Sequence, residues 1–309
     1  MDKEKNFVSA VVYVHNEEKR IYEFLKCIND TISRNFNKYE IICVDDECTD
    51  NSIAEIKRFA ADINNESVVS ILHMSYYQGM ELSMNAGIDL AIGDFVFEFD
   101  KLHENFDEDI IMGVYRRSLA GYDIVNAVPG NQKKVLSNLF YKIFNRFSLT
   151  QYALQSESFR ILSRRAINRV HSMSIRIPYR KAVYSNCGLK MDNIVYQAKE
   201  KERKHSKMEK NLQVDTAVDS LILFTNAASK FTMAMSLLMA FISVFMIGYV
   251  FYIFFQETPI EGWTTTVLFM SVCFFGVFLV LTVIIKYLSL LLNMVFSRQK
   301  YIFESIEKL

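Results

Sequence analysis

Short apolar runs alternate with helical patterns over the first 128 residues of the chain. Runs at 7–14, 41–44, 68–74, 95–100 and 122–128 are mostly apolar and have the length of strands. Between the first two runs, apolar side chains recur at the spacing of one helical face: Ile21, Phe24, Leu25, Ile28 and Ile32. This alternation predicts an α/β domain in which helices wrap a mostly parallel sheet.

Two uncharged segments dominate the last third of the chain. Neither 231–255 nor 263–285 contains a charged residue, and each is longer than the roughly 20 apolar residues that span a bilayer. The link between them is short and acidic, and basic residues flank the pair. By the positive-inside rule, this pattern predicts a two-helix transmembrane hairpin with both chain termini in the cytoplasm. The alternative is a pair of buried helices in a large globular core.

The remaining boundaries follow from changes in amphipathic character. Residues 1–210 are expected to form a cytoplasmic head. Within it, 136–147 combine an apolar helical face with basic side chains, which suits packing on the sheet or a helix in the membrane interface. Residues 211–230 are predicted to be an amphipathic juxtamembrane segment. Residues 287–309 begin apolar and then turn basic, which predicts a third helix and an interfacial tail on the cytoplasmic side.

Charge and cysteine content narrow the function classes. The 35 basic and 35 acidic side chains give no net charge, which argues against nucleic-acid binding. The five cysteines show no paired metal-ligand spacing, and a disulfide framework is not expected in a chain this long. Neither common type of glycine-rich phosphate loop is present, so an ATPase or a dinucleotide enzyme is poorly supported.

Polar side chains follow the predicted strands at their carboxyl ends. The first strand ends in Asn16 and Glu17, the second in Asp45 and Asp46, and the fourth in Asp100. Ligands of open α/β sheets bind at this edge, where distant residues share one pocket. Carboxylates there suit a divalent cation on a diphosphate, or hydrogen bonds to a nucleotide. For the two adjacent aspartates, the alternative is a loop that caps the next helix.

The motifs and their order resemble the inverting family 2 glycosyltransferases. The segments Val11–Glu18, Val44–Asp46 and Gly93–Asp100 are similar to that family, which has a GT-A (Rossmann-like) fold. Ser158–Arg165 resembles a further segment of its polyprenyl-phosphate branch, the relatives of dolichyl-phosphate mannose synthase, and the two C-terminal spans complete the likeness.

The resemblance implies a reaction, partners and a location. A sugar would pass from a nucleotide-diphosphate sugar to a polyprenyl (undecaprenyl) phosphate lipid, for cell-surface glycan or lipid modification. The protein would lie in the cell inner (plasma) membrane. Association into a homo-oligomer through the membrane helices is left open.

The resemblance also implies roles for individual residues. Asn16 and Glu17 match the family's first-strand motif near the nucleotide. Asp45 matches an acid that contacts the base, and Asp46 lies beside it. Asp100 matches the first acid of the family's Asp-x-Asp site, which would hold Mg²⁺ or Mn²⁺ on the diphosphate.

Recognition of the acceptor is expected to use basic side chains. Arg160 matches an arginine near the acceptor phosphate. The run 199–207, which includes Arg203, Lys204 and Lys207, stands where relatives have a juxtamembrane segment that approaches phosphate groups. Independently of the family, several cations beside a membrane attract an anionic lipid head or a diphosphate. The alternative is a solvated helix with alternating charges.

The chain departs from the family pattern at the metal motif. The sequence reads Asp100-Lys101-Leu102, so the second carboxylate of Asp-x-Asp is absent. Because alternate residues of a strand share a face, Glu98 and Asp100 are predicted to act as a displaced acidic pair, with His103 or Glu104 as other candidates.

Further departures lie at Glu47-Cys48, where the family usually has Gly-Ser, and at Ser158, where it often has aspartate. If the site is lost, the alternative function is a catalytically impaired relative that acts as a scaffold or partner of an active membrane glycosyltransferase.

Overall fold

The computed structural model describes most of the head and part of the C-terminal region. The described residues are 3–63, 68–102, 106–130, 141–142, 144–146, 152–173, 179–198, 230–231, 234–235, 238–239, 241–242, 245, 262–296 and 301–309. The chain divides into two compact units. The first comprises 1–145, 150–216 and 299–309, and the second comprises 146–149 and 217–298.

A single sheet forms the centre of the first unit. Within the described residues its strands are β1 (Val8–Val14), β2 (Tyr39–Asp45), β3 (Val68–Met74), β4 (Phe95–Phe99), β5 (Ile124–Pro129), β6 (Phe159–Ser163), β7 (Met191–Tyr196) and β8 (Phe303–Lys308). They lie in the order β7-β5-β6-β4-β1-β2-β3-β8. β1 pairs in parallel with β2 and β4, β2 with β3, and β5 with β7. The pairs β3–β8, β4–β6 and β5–β6 are antiparallel. The predicted mostly parallel sheet is confirmed.

Helices connect the strands and cover the sheet. They are α1 (Ile21–Asn35), α2 (Ser52–Asp62), α3 (Met80–Leu90), α4 (Glu108–Leu119), α5 (Arg164–Ser172) and α6 (Arg180–Asn186). The predicted apolar face of α1 is fully buried. β1 and β2 are almost entirely buried as well, because helices pack against a parallel sheet from both sides.

Helix α3 approaches the sheet closely beneath its carboxyl edge. A Cβ atom added at Gly87 would lie 2.5 Å from methyl carbons of both Val11 and Val44. Only glycine permits this distance between the helix and the strands. The contact sets the position of the loop that precedes α3, which contributes to the site described below.

The sequence predicted β1 to β5 within two residues of their observed ends. The prediction for the C-terminal tail was wrong. Residues 303–308 form β8, which extends the sheet by pairing with β3, instead of a tail on a membrane surface. The strand escaped prediction because Phe303 and Ile306, its two apolar residues, are three positions apart and give no alternating pattern, and nearly all of its side chains are exposed.

The second unit contains one long helix among its described residues. Helix α7 runs from Trp263 to Phe296, so the predicted third helix at 287–296 is a continuation of the helix that begins before it. Counting only the residues that the structure describes, no helix has both the length and the hydropathy that a membrane crossing requires. Residues 211–229, and most of 136–147 and 231–255, lie outside the described residues. The transmembrane hairpin therefore stays a prediction.

Candidate active site

The loops that follow β1 and β2 lie side by side at the carboxyl edge of the sheet. Thr49 donates its backbone N–H to Asn16 Oδ1 over 2.8 Å, and Glu17 donates its backbone N–H to Ser52 Oγ over 2.8 Å. The structure thus brings together the polar ends that the sequence placed at one edge. The exposed Asn16 and the neighbouring loop form the rim of this region.

Asp45 is held in place from two directions. Its Oδ1 accepts a hydrogen bond of 2.9 Å from the backbone N–H of Cys48, and its Oδ2 lies 2.8 Å from His73 Nδ1. On the other side of the ring, His73 Nε2 lies 3.5 Å from Glu307 Oε2 on β8. The orientation of Asp45 therefore depends on the C-terminal strand. No sequence motif signalled the part played by Glu307.

Asp46 accepts hydrogen bonds from other parts of the fold. Its side chain is fully buried and accepts hydrogen bonds from the backbone N–H groups of Gln78 (2.8 Å) and Gly79 (2.9 Å) and from the Tyr13 hydroxyl (2.9 Å). Burial and the adjacent carboxylate raise the pKa of Tyr13 far above its usual value. Asp46 therefore fastens the loop before α3 to the end of β2, and the expected nucleotide contact stays a prediction.

Glu47 has a backbone conformation that favours glycine. Its backbone φ is 57°, in the left-handed region that glycine adopts at no steric cost. The exposed side chain accepts a 2.7 Å hydrogen bond from the backbone N–H of Tyr77. The Tyr77 ring lies 4.6 Å from the ring of His15, centroid to centroid. An aromatic pair therefore borders the rim on the side of Glu47.

A buried charge cluster, formed by Glu98, Asp100, Arg160 and Arg180, lies at the end of β4. β4 and β6 are antiparallel, and their register places Glu98 opposite Arg160. Arg180 is the first residue of α6. Asp100 accepts from Arg180 Nη2 over 2.5 Å and from Arg160 Nη2 over 2.8 Å. Each oxygen of its carboxylate therefore faces its own guanidinium group.

Glu98 is engaged as completely as Asp100. Its Oε2 lies 3.1 Å from Arg180 Nη1 and 3.2 Å from Arg160 Nη1. Its Oε1 accepts a 2.5 Å hydrogen bond from the Tyr184 hydroxyl. The prediction that Glu98 and Asp100 project together is confirmed, and both side chains are turned toward arginines.

Further acids surround the charge cluster. Arg180 Nε lies 2.9 Å from Glu81 Oε2, and Arg160 Nη2 lies 2.6 Å from Glu157 Oε1. Lys181 Nζ lies 3.2 Å from the same Glu157 oxygen. Side chains of both arginines are at most 1% exposed, whereas that of Lys181 is 14% exposed. Lys181 borders a pocket whose lining also includes Glu157 and Tyr184.

Electrostatics keeps most of these groups charged. Burial alone would raise the pKa of Asp100, but Arg180 and Arg160 together hold it well below its usual range. Burial raises the pKa of Glu98 against the opposing effect of the same arginines. Burial also disfavours a charged Lys181, but Glu157, Tyr141 and Asp100 together raise the pKa of Lys181 to about 12.

The donor set does not fit Mg²⁺ or Mn²⁺. A hard divalent cation needs carboxylate oxygens that are open to it. All four oxygens of Glu98 and Asp100 already accept from arginine or tyrosine donors. Across the described residues, no group of three or more histidine, cysteine or acidic side chains could hold a metal ion. The two acids predicted to hold a metal thus accept from arginines and a tyrosine in this structure. His103 and Glu104, the other candidates, lie outside the described residues.

Of the four basic residues expected to meet the acceptor phosphate, the structure describes only Arg160. Arg160 was predicted to meet an acceptor phosphate, but its guanidinium is buried among Glu98, Asp100 and Glu157. Nε and Nη1 of this guanidinium make no hydrogen bond among the described residues. The expected role of Arg160 at the acceptor phosphate stays a prediction. Arg203, Lys204 and Lys207 lie outside the described residues, so their role stays a prediction.

The comparisons with known proteins agree on one family. The model of glycosyl transferase family 2 matches residues 9–170. An uncharacterized glycosyltransferase of Bacillus subtilis, YkcC, is 24% identical over 304 residues, which cover 95% of this chain and 92% of the relative. The undecaprenyl-phosphate 4-deoxy-4-formamido-L-arabinose transferase of Pseudomonas fluorescens is 33% identical over 41% of this chain and 36% of its own length. A prophage bactoprenol glucosyl transferase homolog of Escherichia coli is 27% identical, over 61% and 62% of the two chains.

Solved structures share the fold at low sequence identity. The mannosyltransferase PcManGT from Pyrobaculum calidifontis, in complex with GDP-Man and Mn²⁺, matches with a TM-score of 0.50 and 14% identity, over 71% of this chain and 63% of its own. Glucosyl-3-phosphoglycerate synthase from Mycobacterium tuberculosis, in complex with Mn²⁺, UDP-Glc and phosphoglyceric acid, matches with a TM-score of 0.50 and 12% identity, over 70% and 79%. These matches show a Rossmann-like GT-A arrangement around the sheet.

Proposed function

We propose that this protein, which belongs to glycosyl transferase family 2, moves a sugar from a nucleotide-diphosphate donor to a polyprenyl phosphate lipid. The family model covers just over half of the chain, and a relative matched over 95% of the chain is described as a glycosyltransferase. The protein is thus a glycosyltransferase. The lipid acceptor is the proposed part, and it is supported by relatives described as undecaprenyl-phosphate and bactoprenol sugar transferases.

The arrangement around Asp45 carries the proposal. The carboxylate is fixed by Cys48 and His73 at the carboxyl edge of the sheet, next to the loop of Asn16. Ligands of open α/β sheets bind at this edge. Asp45 offers hydrogen-bond acceptors to a base, and the His15–Tyr77 ring pair offers an aromatic surface at the rim. We therefore assign the nucleotide to this edge.

The chemistry of the acceptor requires no strong general base. In the proposed reaction, an oxygen of the lipid phosphate attacks the anomeric carbon of the sugar, and the bond to the nucleotide diphosphate breaks with inversion. That phosphate oxygen is already anionic, so no proton has to be removed from it. Ser158, where the family often has aspartate, is buried against the Tyr196 hydroxyl at 2.5 Å. A serine at this position is compatible with the reaction.

The lipid phosphate is proposed to meet cations of this chain. Lys181 is partly exposed, stays charged and borders a pocket beside the charge cluster. The basic run 199–207, with Arg203, Lys204 and Lys207, supplies further cations in the sequence ahead of the uncharged segments. Anionic lipid head groups are attracted by such clusters. Arg160 is left out of this set because it is buried.

Anchoring in the inner (plasma) membrane is part of the proposal. The uncharged segments 231–255 and 263–285 and their basic flanks support a hairpin with the head on the cytoplasmic side. Helix α7 exposes large aromatic side chains, with Phe274, Phe275 and Phe278 each more than half exposed. Exposed apolar surface of this kind is typical of contact with lipid or with another chain.

The test is a transfer assay with matched variants. Full-length protein in detergent is incubated with undecaprenyl phosphate and a panel of labelled UDP- and GDP-sugars, and the lipid extract is analysed for a sugar-lipid. The proposal predicts a product with at least one donor, and its loss in Asp45→Asn. Glu55→Gln, in a surface ion pair of α2, is the matched control and should stay active. If no donor is transferred to the lipid, the proposed function is refuted.

One observation favours a second candidate function. The acids at the end of β4 are occupied by arginines, which fits a catalytically impaired relative that serves as a partner of an active membrane glycosyltransferase. Such a protein would bind a nucleotide sugar or a partner enzyme without turnover. Calorimetric binding of a donor, combined with no sugar-lipid in the transfer assay, would support this second candidate over the first.

A further inference from the structure

We propose that Arg180 takes the place of a divalent cation at the end of β4, so that this glycosyltransferase works without a bound metal. The inference rests on the proposed function for its activity test but not for its binding test. It concerns the one part of the site where the chain departs most from its family, since Lys101-Leu102 follows Asp100.

The position of the guanidinium supports this assignment. Arg180 lies among three carboxylates, with Nη2 at 2.5 Å from Asp100, Nη1 at 3.1 Å from Glu98 and Nε at 2.9 Å from Glu81. A guanidinium is a permanent cation with several donors in a fixed plane. It neutralises the acids as a bound metal would, and it is part of the chain at any metal concentration.

The cation cannot be exchanged easily for one from solution. The backbone N–H of Arg180 also donates to Glu81 over 3.0 Å, so the start of α6 is fastened together with the side chain. Arg160 completes the coordination of Asp100 from β6, where the register of the sheet fixes its position opposite Glu98. A metal ion would have to displace two buried arginines to reach Asp100.

Without a bound metal, side chains must balance the negative charge of the nucleotide diphosphate during catalysis. Two solved structures that share the fold contain Mn²⁺. In this chain the negative charge of the departing diphosphate has to be offset by side chains. Lys181, next to Arg180 on α6, is charged and reaches a pocket while its neighbour is buried. Arg180 is therefore a positioning residue, and Lys181 is the cation within reach of a ligand.

The binding test measures Mn²⁺ directly. Full-length protein freed of metal with EDTA is titrated with Mn²⁺, alone and with GDP or UDP, and free Mn²⁺ is followed by electron paramagnetic resonance. We expect no binding beyond that of the nucleotide alone. In Arg180→Ala, shown to be folded by circular dichroism, we expect a new Mn²⁺ site because Glu81 loses its arginine, and Glu98 and Asp100 each keep only one arginine, Arg160.

Two results would overturn the inference. One is Mn²⁺ bound by the wild-type protein and lost in Asp100→Asn, with Glu55→Gln as the control that keeps binding. The other is a folded Arg180→Ala that binds no Mn²⁺. The wild-type titration decides the question even if Arg180→Ala does not fold.

The activity test separates this inference from the proposed function. The rate of sugar-lipid formation in EDTA is expected to stay within about twofold of the rate with Mn²⁺. A loss of tenfold or more in EDTA that Mn²⁺ restores would overturn the inference. If no donor is transferred under either condition, the proposed function fails, and the Mn²⁺ titration still decides whether Arg180 replaces the metal.

Discussion

Replacing Arg180 by methionine should cost much of the stability of the first unit. Arg180 is fully buried and faces Glu81, Glu98 and Asp100 at 2.9, 3.1 and 2.5 Å. Methionine fills part of the space but leaves three acids without this partner. Removing one partner of a buried ion pair costs about 3–5 kcal/mol. For a unit of this size, each kcal/mol lowers the melting temperature by about 2–4 °C.

The same substitution should change the dependence of stability on pH. In the wild-type protein, Arg180 and Arg160 hold the pKa of Asp100 low despite its burial. The Asp100 carboxylate therefore stabilises the fold above its unfolded pKa of about 3.9. This stabilisation is lost as the pH falls through the pKa of Asp100 in the folded protein. In Arg180→Met, Asp100 stays buried with one cation fewer, which should raise its folded pKa above its unfolded pKa. Deprotonation of Asp100 then destabilises the variant as the pH rises. The difference in stability between the variant and the wild type should therefore be smaller at about pH 5 than at about pH 7.

Urea unfolding followed by circular dichroism measures both effects. Arg58→Met is the matched control, because Arg58 pairs with Glu55 at the surface and is 56% exposed. Exposed pairs contribute only about 0–1 kcal/mol. Arg180→Lys should fall between wild type and Arg180→Met, since lysine keeps the charge but loses the fork of donors. A loss for Arg180→Met no larger than that of Arg58→Met, or a deficit independent of pH, would refute the reasoning.

Three further substitutions probe other parts of the account. Gly87→Ala places a methyl group against β1 and β2 and should cost about 1–3 kcal/mol in urea unfolding; an unchanged midpoint would contradict the close packing of α3. Glu307→Gln should weaken nucleotide binding in calorimetry without lowering the melting temperature, because Glu307 supports His73 beside Asp45. Glu304→Gln on the same exposed strand is the control. Equal nucleotide affinities of the two variants would contradict the role of Glu307 in holding His73. Lys181→Met should lower kcat by about tenfold or more, in line with the loss of one charge-assisted hydrogen bond, and Lys181→Arg should retain most of it; equal loss in both would contradict a role for the positive charge.

Much of the fold could be predicted because its central strands carry an unbroken apolar pattern. β1 and β2 are buried on both faces, so their sequences are nearly continuous apolar runs. β6 was not predicted as a strand, because its buried Arg160 interrupts the apolar pattern. The GT-A arrangement expected from the motifs is confirmed by the solved structures that share the fold.

The candidate site could be predicted only where residues follow strands in order. Asn16, Glu17 and Asp45 were found because the carboxyl ends of parallel strands share one edge. Arg180 and Glu307 could not be found in this way. Their contacts join parts of the chain that are 80 or more residues apart, and neither lies in a recognisable motif. The presence of acids at the end of β4 was predictable, but the arginines that neutralise them were not.

Formation of a sugar-lipid by the purified full-length protein would show directly that the protein transfers sugar to a polyprenyl phosphate. The protein is incubated in detergent with undecaprenyl phosphate and labelled nucleotide sugars, with EDTA in one series and Mn²⁺ in the other. We expect a labelled sugar-lipid in both series, and none in Asp45→Asn. A complete lack of product with every donor, from protein that is folded by circular dichroism, would refute the proposed transfer to the lipid.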